Sequence, residues 1–142
     1  MQIKKINEEL LMLHDSLLVS MEDNTINNII KLTFLAEDKG EQYILTINDV
    51  VTSRCQDWKF GNIVLDAYIT DINDINFNIN DITKKIIFVN DLTIQQIKLK
   101  QYQSILEDIM NEKKFILEIN PSYGAYFIAI FTNCSFTHSI SP

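Results

Sequence analysis

"IIKLTFLAEDKGEQYILTI", residues 29–47, decides the fold of this 142-residue chain. Two runs that alternate apolar and polar residues flank a charged segment ending in Gly40. Period-two alternation is the pattern of a strand with one face on a core. Ile30, Leu32 and Phe34 share a face of the first run, and Tyr43, Leu45 and Ile47 share a face of the second. A polar, glycine-containing loop between such runs predicts an antiparallel hairpin. "ILEINPSYGAYFIAI", residues 116–130, repeats the grammar and predicts a second hairpin.

Working outward, "NIVLDAYIT" (62–70) predicts a strand with Ile63, Leu65, Ala67 and Ile69 on one face, and "KFILEIN" (114–120) one with Phe115, Leu117 and Ile119 inward. In "SLLVSM" (16–21), Leu17, Val19 and Met21 alternate with Leu18 and Ser20. "KIIFV" (85–89) and "AYFIAIF" (125–131) are apolar on both faces, which predicts doubly covered strands in the middle of a sheet. Helical spacing joins Tyr102, Ile105, Leu106, Ile109 and Met110 within 101–111, and Ile6, Leu10 and Leu13 within a short N-terminal helix over 3–13. Residues 92–100 fit a strand or, with Thr93 and Gln96 as a capping box, a helix. The expected fold is α+β and mostly antiparallel β: a sandwich or partly open barrel of about 7–8 strands, with the helix covering an open side.

One β-rich domain, 1–142, accounts for the length, since a chain of this size buries about 68–70% of its unfolded surface without staples. Nineteen acidic against twelve basic side chains leave a net charge near −7. That charge repels phosphate backbones and anionic lipid, so neither nucleic acid nor membrane is an expected partner. No signal-peptide core interrupts "MQIKKINEELLMLHD", and no apolar run approaches a bilayer span, so a cytoplasmic protein is expected. Cys55 and Cys134 have no metal-ligand or disulfide-framework spacing.

His14, Asp15 and Ser16 stand side by side and raise the possibility of a hydrolytic triad. A triad needs the imidazole between hydroxyl and carboxylate, which three consecutive residues do not supply, and no glycine-rich nucleophile elbow occurs. The stretch is expected to be the junction between the N-terminal helix and the first strand. His138 and Cys134, four apart on a strand, would lie about 13 Å from each other, too far to share a metal. "DINDINFNIND" (71–81) lacks the central glycine and terminal glutamate of a calcium loop and reads as a polar loop or irregular edge strand. No catalytic residue, metal or cofactor is therefore expected. "RCQDWKFGN" (54–62) carries the single Trp beside Asp57 and Lys59, a composition that suits either a core plug or an interface anchor. Tyr123 in "PSYG" is a weaker case of the same kind.

Read in order, "LHDSLLVSM", "IIKLTFL", "YILTINDV", "WKFGNIVLD" and "FILEINPSYGAYFIAIFTNCSFT" resemble small β-rich bacterial proteins that include immunity proteins of polymorphic toxin systems. The resemblance rests on strand pattern and on the landmarks His14, Asp15, Ser16 and Gly124. It implies a non-catalytic cytoplasmic protein, monomer or homodimer, that binds and neutralises a cognate toxin. A basic nuclease domain would complement the acidic charge. Asp57, Trp58, Lys59 and Tyr123 are then the expected partner-binding residues. The alternative is a small-molecule-binding β domain with Tyr43, Tyr68, Tyr126 and Phe127 around its pocket.

Overall fold

The computed structural model describes residues 1–91 and 100–140. Helix α1 (Ile3–Leu10) runs through a 3₁₀ turn (Leu11–Leu13) into β1 (Leu17–Asn24), followed by β2 (Ile29–Ala36), β3 (Glu41–Asn48), β4 (Thr52–Gln56) and β5 (Asn62–Ile69). Helices α2 (Ile79–Val89) and α3 (Lys100–Met110) precede β6 (Phe115–Tyr123), β7 (Tyr126–Phe131) and β8 (Asn133–Ile140). The strands form one open antiparallel sheet in the order β4-β7-β6-β5-β1-β2-β3-β8. The α+β class, the short N-terminal helix and the helix near 101–111 are as the sequence predicts.

Although β7 and β8 lie near opposite ends of that order, Thr132 alone separates them in the chain, and residues 49–51 alone separate β3 from β4. So short a link forces the two ends of the sheet together. The ladder of β3 with β8 ends at Asn48↔Asn133, and that of β4 with β7 begins at Thr52↔Ile130. They are two halves of one ribbon bent at a corner. Amide hydrogen bonds from Val51 to the Ile130 carbonyl (2.8 Å) and from Thr132 to the Asn48 carbonyl (3.2 Å) stitch that corner. The sheet is thereby curled into a partly open barrel, with β4 and β8 as its terminal strands.

The predicted inward residues meet inside the curl: Ile30, Leu32, Phe34, Tyr43, Leu45 and Ile47 with Phe115, Leu117 and Ile119, joined by Phe127 from a run whose two apolar faces give no inward side in sequence. Leu10 and Leu13, from α1 and its 3₁₀ turn, plug the same core. A second core lies on the outer face of β6 and β7, where α2 and α3 cover Ile116, Ile128 and Ile130. This explains why the run 125–131 is apolar on both faces. It lies second from the sheet edge rather than in the middle, because the short β4 pairs outside it.

Three further expectations are corrected. Residues 85–89 belong to α2, where Ile82, Ile86 and Val89 recur at helical spacing and the Asn78 side chain caps the start by accepting from the Asn80 amide at 2.8 Å. A five-residue apolar window cannot distinguish a buried strand from a buried helix turn. In β5, irregularities between Ile63 and Val64 and between Val64 and Asp66 shift the phase. Asn62, Val64, Ala67 and Ile69 are buried, whereas Leu65 is exposed. In β1, a bulge between Leu18 and Ser20 leaves Val19 and Met21 exposed, while Leu18 and the preceding Ser16 are buried. The question of residues 92–100 falls on 92–99, outside the described residues; Lys100 is the first residue of α3.

Candidate functional site

Two loops meet at the end of the barrel where β5 begins: residues 57–61 between β4 and β5, and the tight turn at Gly124 between β6 and β7. The register sets Ile63 opposite Tyr123. Asn62 binds the loops together from inside, being only 2% exposed. Its Oδ1 accepts from the amides of Lys59 (2.7 Å) and Ala125 (3.0 Å), and its Nδ2 donates to the Leu18 carbonyl (3.3 Å). Gly124 has φ +88°, and a Cβ built on it would lie 2.3 Å from Asn62 Oδ1. Glycine is required there both for conformation and for space.

On this frame Trp58 is 44% exposed, Tyr123 53%, and Phe60 fully so. Trp58 is thus not a core plug. The structure brings Asp57, Trp58, Lys59 and Tyr123 to one end of the molecule, as the sequence reading grouped them. Phe60 is the residue that reading passed over, although it lies in the same quoted loop, next to the anchored Lys59 amide.

His14, Asp15 and Ser16 do not form a relay. His14 Nδ1 donates to the Leu65 carbonyl at 2.7 Å, and its Nε2 lies 3.4 Å from Asp15 Oδ2, both side chains being well exposed. Ser16 is buried, and its hydroxyl donates to the Leu13 carbonyl at 2.6 Å. The Asp15 amide donates to the Val64 carbonyl (2.9 Å) and the Val64 amide to the Ser16 carbonyl (3.0 Å). The stretch is a helix-to-strand junction that fastens β1 to β5, next to the Leu18↔Asn62 pair.

A second constellation lies on the outer face of β6 under α2. Glu118, 6% exposed, accepts from Lys85 Nζ (2.6 Å) and the Tyr68 hydroxyl (3.0 Å) at Oε1, and from the Tyr126 hydroxyl (2.7 Å) at Oε2. Burial alone would lower the Lys85 pKa; the hydrogen bond and charge of Glu118 outweigh it and hold it above the usual lysine value. Burial, then Glu118, pushes both tyrosine hydroxyls up. Lys85 and Tyr68 line a cavity of about 430 Å³ with Thr70, Asp71, Phe77 and Asp81.

Of the four aromatics expected around a pocket, Tyr68 and Tyr126 converge on this carboxylate, whereas Tyr43 and Phe127 are each 1% exposed in the inner core. Lys85 escaped the sequence reading because its run looked like a strand. Glu118 escaped because alternation placed it on a solvent face that α2 in fact covers.

Cys55 and Cys134 are free, and burial raises both thiol pKa values, that of Cys134 to about 11. Among the described residues no group of three His, Cys, Asp or Glu side chains could hold a metal ion, and no helix is long and apolar enough to cross a membrane. Compared with family models, curated proteins and solved structures, the chain matches none.

Proposed function

We propose that this chain is a binding protein of the immunity type, which attaches to a cognate toxin domain through the end carrying Trp58, Phe60 and Tyr123. The observation that carries the reading is the rigid display of large exposed aromatics by a buried asparagine. A Phe side chain left in water forfeits about 1.5–3 kcal/mol of burial free energy that the fold does not recover elsewhere. Aromatics in this state are the usual anchors of interfaces, and a frame fixed before binding reduces the ordering cost of association. Asp57 and Lys59 give the anchors a polar surround. The net charge near −7 favours a basic partner, such as a nuclease domain with a phosphate-binding cleft.

The test is affinity for the product of the neighbouring upstream gene. The variant Trp58→Ala/Phe60→Ala should weaken the complex by about 30-fold or more, since truncating a central anchor costs about 2 kcal/mol or more. Thermal stability should stay unchanged. No complex with that product, or an unaffected affinity in the variant, sinks the proposal.

A small-molecule reading is favoured by one specific observation, the buried Lys85–Glu118 pair on a cavity wall. Buried ion pairs are poor stabilisers relative to apolar packing, and perturbed groups in clefts mark functional sites. A ligand released from the purified protein on denaturation, identified by mass spectrometry and lost in Lys85→Met, would support it over the first reading.

A further inference from the structure

Among the described residues, four strands of the curled sheet leave backbone unpaired along one side, and three of them are blunted. The edge of β1 beyond Leu18 has a bulge and carries Glu22 and Asp23. On β4, only five residues long, Arg54 donates to the Phe88 carbonyl at 2.9 Å and lies 4.3 Å over the Phe88 ring, tying the strand to α2. The edge of β5 is taken by side chains. Asn7 both donates to the Ile69 carbonyl (2.9 Å) and accepts from the Ile69 amide (2.7 Å), while His14 holds the Leu65 carbonyl. Charges, bulges, short length and covering groups are how natural sheets keep edges from pairing.

β8 has none of these. Its ladder with β3 runs from Glu41↔Ile140 to Asn48↔Asn133 without a register shift. "NCSFTHSI" contains no Asp, Glu, Lys, Arg or Pro. Among the described residues, no backbone hydrogen bond reaches it from outside that ladder. Ser135 and Thr137 through Ile140 are exposed; α1 lies over the inner face of the strand's first half, where Met1 touches Cys134 and Ile6 and Glu9 border Phe136.

We propose that β8 pairs antiparallel with β8 of a second copy of this chain, across a two-fold axis perpendicular to the sheet. In that arrangement the residue on the axis faces its own copy and every residue near it recurs on the partner within a few positions, so a charged residue there would lie close to a like charge. A strand without charges removes that penalty, whereas a partner of opposite sign would be better met by a charged edge. A molecule of net charge near −7 approaches its own copy at least cost along such a strip. The axis also pairs residues of equal parity, so Cys134, Phe136 and His138 continue one face across the seam and Ser135, Thr137 and Ser139 the other. The inference is independent of the aromatic end.

The experiment is light scattering coupled to gel filtration, from micromolar to submillimolar chain, with hydrogen exchange at both limits. The expected results are a mass approaching twice 16.5 kDa, slowed exchange of the 137–140 amides at high concentration, and a monomer for Thr137→Lys with unchanged thermal stability. A monomer at every concentration, a dimer that survives Thr137→Lys in a folded variant, or concentration-independent exchange at 137–140 would overturn it. Should Thr137→Lys fail to fold, the exchange comparison on the unaltered chain decides.

Discussion

Replacing Gly124 by alanine should disturb the molecule out of proportion to one methyl group. Two effects add. At φ +88° an L side chain is strained by about 1–2 kcal/mol. The new Cβ, 2.3 Å from Asn62 Oδ1, also expels the acceptor that serves the Lys59 and Ala125 amides. Each hydrogen bond so lost costs about 1 kcal/mol, more at Ala125, which is buried. The expected destabilisation is about 3–4 kcal/mol, or roughly a 10 °C fall in melting temperature for a chain of this length. Urea unfolding followed by far-ultraviolet circular dichroism measures it, with Asn62→Ala and the double variant alongside. Because the alanine at 62 removes the obstacle, the double variant should cost clearly less than the two single variants together. A fall of only a degree or two in Gly124→Ala, or strict additivity in the double variant, would show that Asn62 does not clamp the two loops.

Two further perturbations follow from the buried pair and the tyrosines. Lys85→Met leaves the Glu118 carboxylate buried without its cation and should cost about 3 kcal/mol, at the low end for a broken buried pair because Lys85 retains 22% side-chain exposure; a cost below about 1 kcal/mol in urea unfolding would contradict the geometry. At alkaline pH, the Tyr43 hydroxyl is pushed up to about 12, by its hydrogen bond to Glu41 first and burial second, and Tyr68, Tyr126 and Lys85 are raised as well. The folded chain then holds protons that the unfolded chain gives up near pH 10. The Cys55 and Cys134 thiols, raised by burial, likewise keep protons that the unfolded chain loses near pH 9, so stability should be level below about pH 8 and fall as pH rises from there towards 12. A urea midpoint that is flat across that range, or rising, would refute this.

The inner core was legible because strands 29–36 and 41–48 keep strict alternation and 115–119 holds one register, so one period fixes their inward residues, whereas 126–131 is apolar on both faces and gives no inward side. Where a bulge breaks the period, as at Val64 in β5, sequence pattern carries the wrong phase past the break. The aromatic end was legible as composition, Trp58 and Lys59 in a loop, but not as architecture. Its clamp, Asn62, is one of many asparagines in the chain, and its role appears only when β5 meets β1 and the Gly124 turn. The Glu118 cluster was hidden by a different cause. Alternation gives two faces of a strand, yet it does not say that a helix lies over the second one.

The bent ribbon described for β3, β4, β7 and β8 has a kinetic side. Strand β3 finds its outer partner, β8, some ninety positions further along the chain, and α2, α3 and four strands intervene. Contacts so distant in sequence close slowly, because loop entropy is spent before the ladder returns anything. During synthesis the hairpin of β2 and β3 can form early, but the flank of β3 stays open until residues 133–140 have left the ribosome. Until then a nascent chain offers neighbouring chains on the same messenger an unoccupied docking edge. The sequence guards that interval with Glu41 at one end of β3 and Asp49 just beyond the other, charges that repel a second nascent copy until the proper strand arrives.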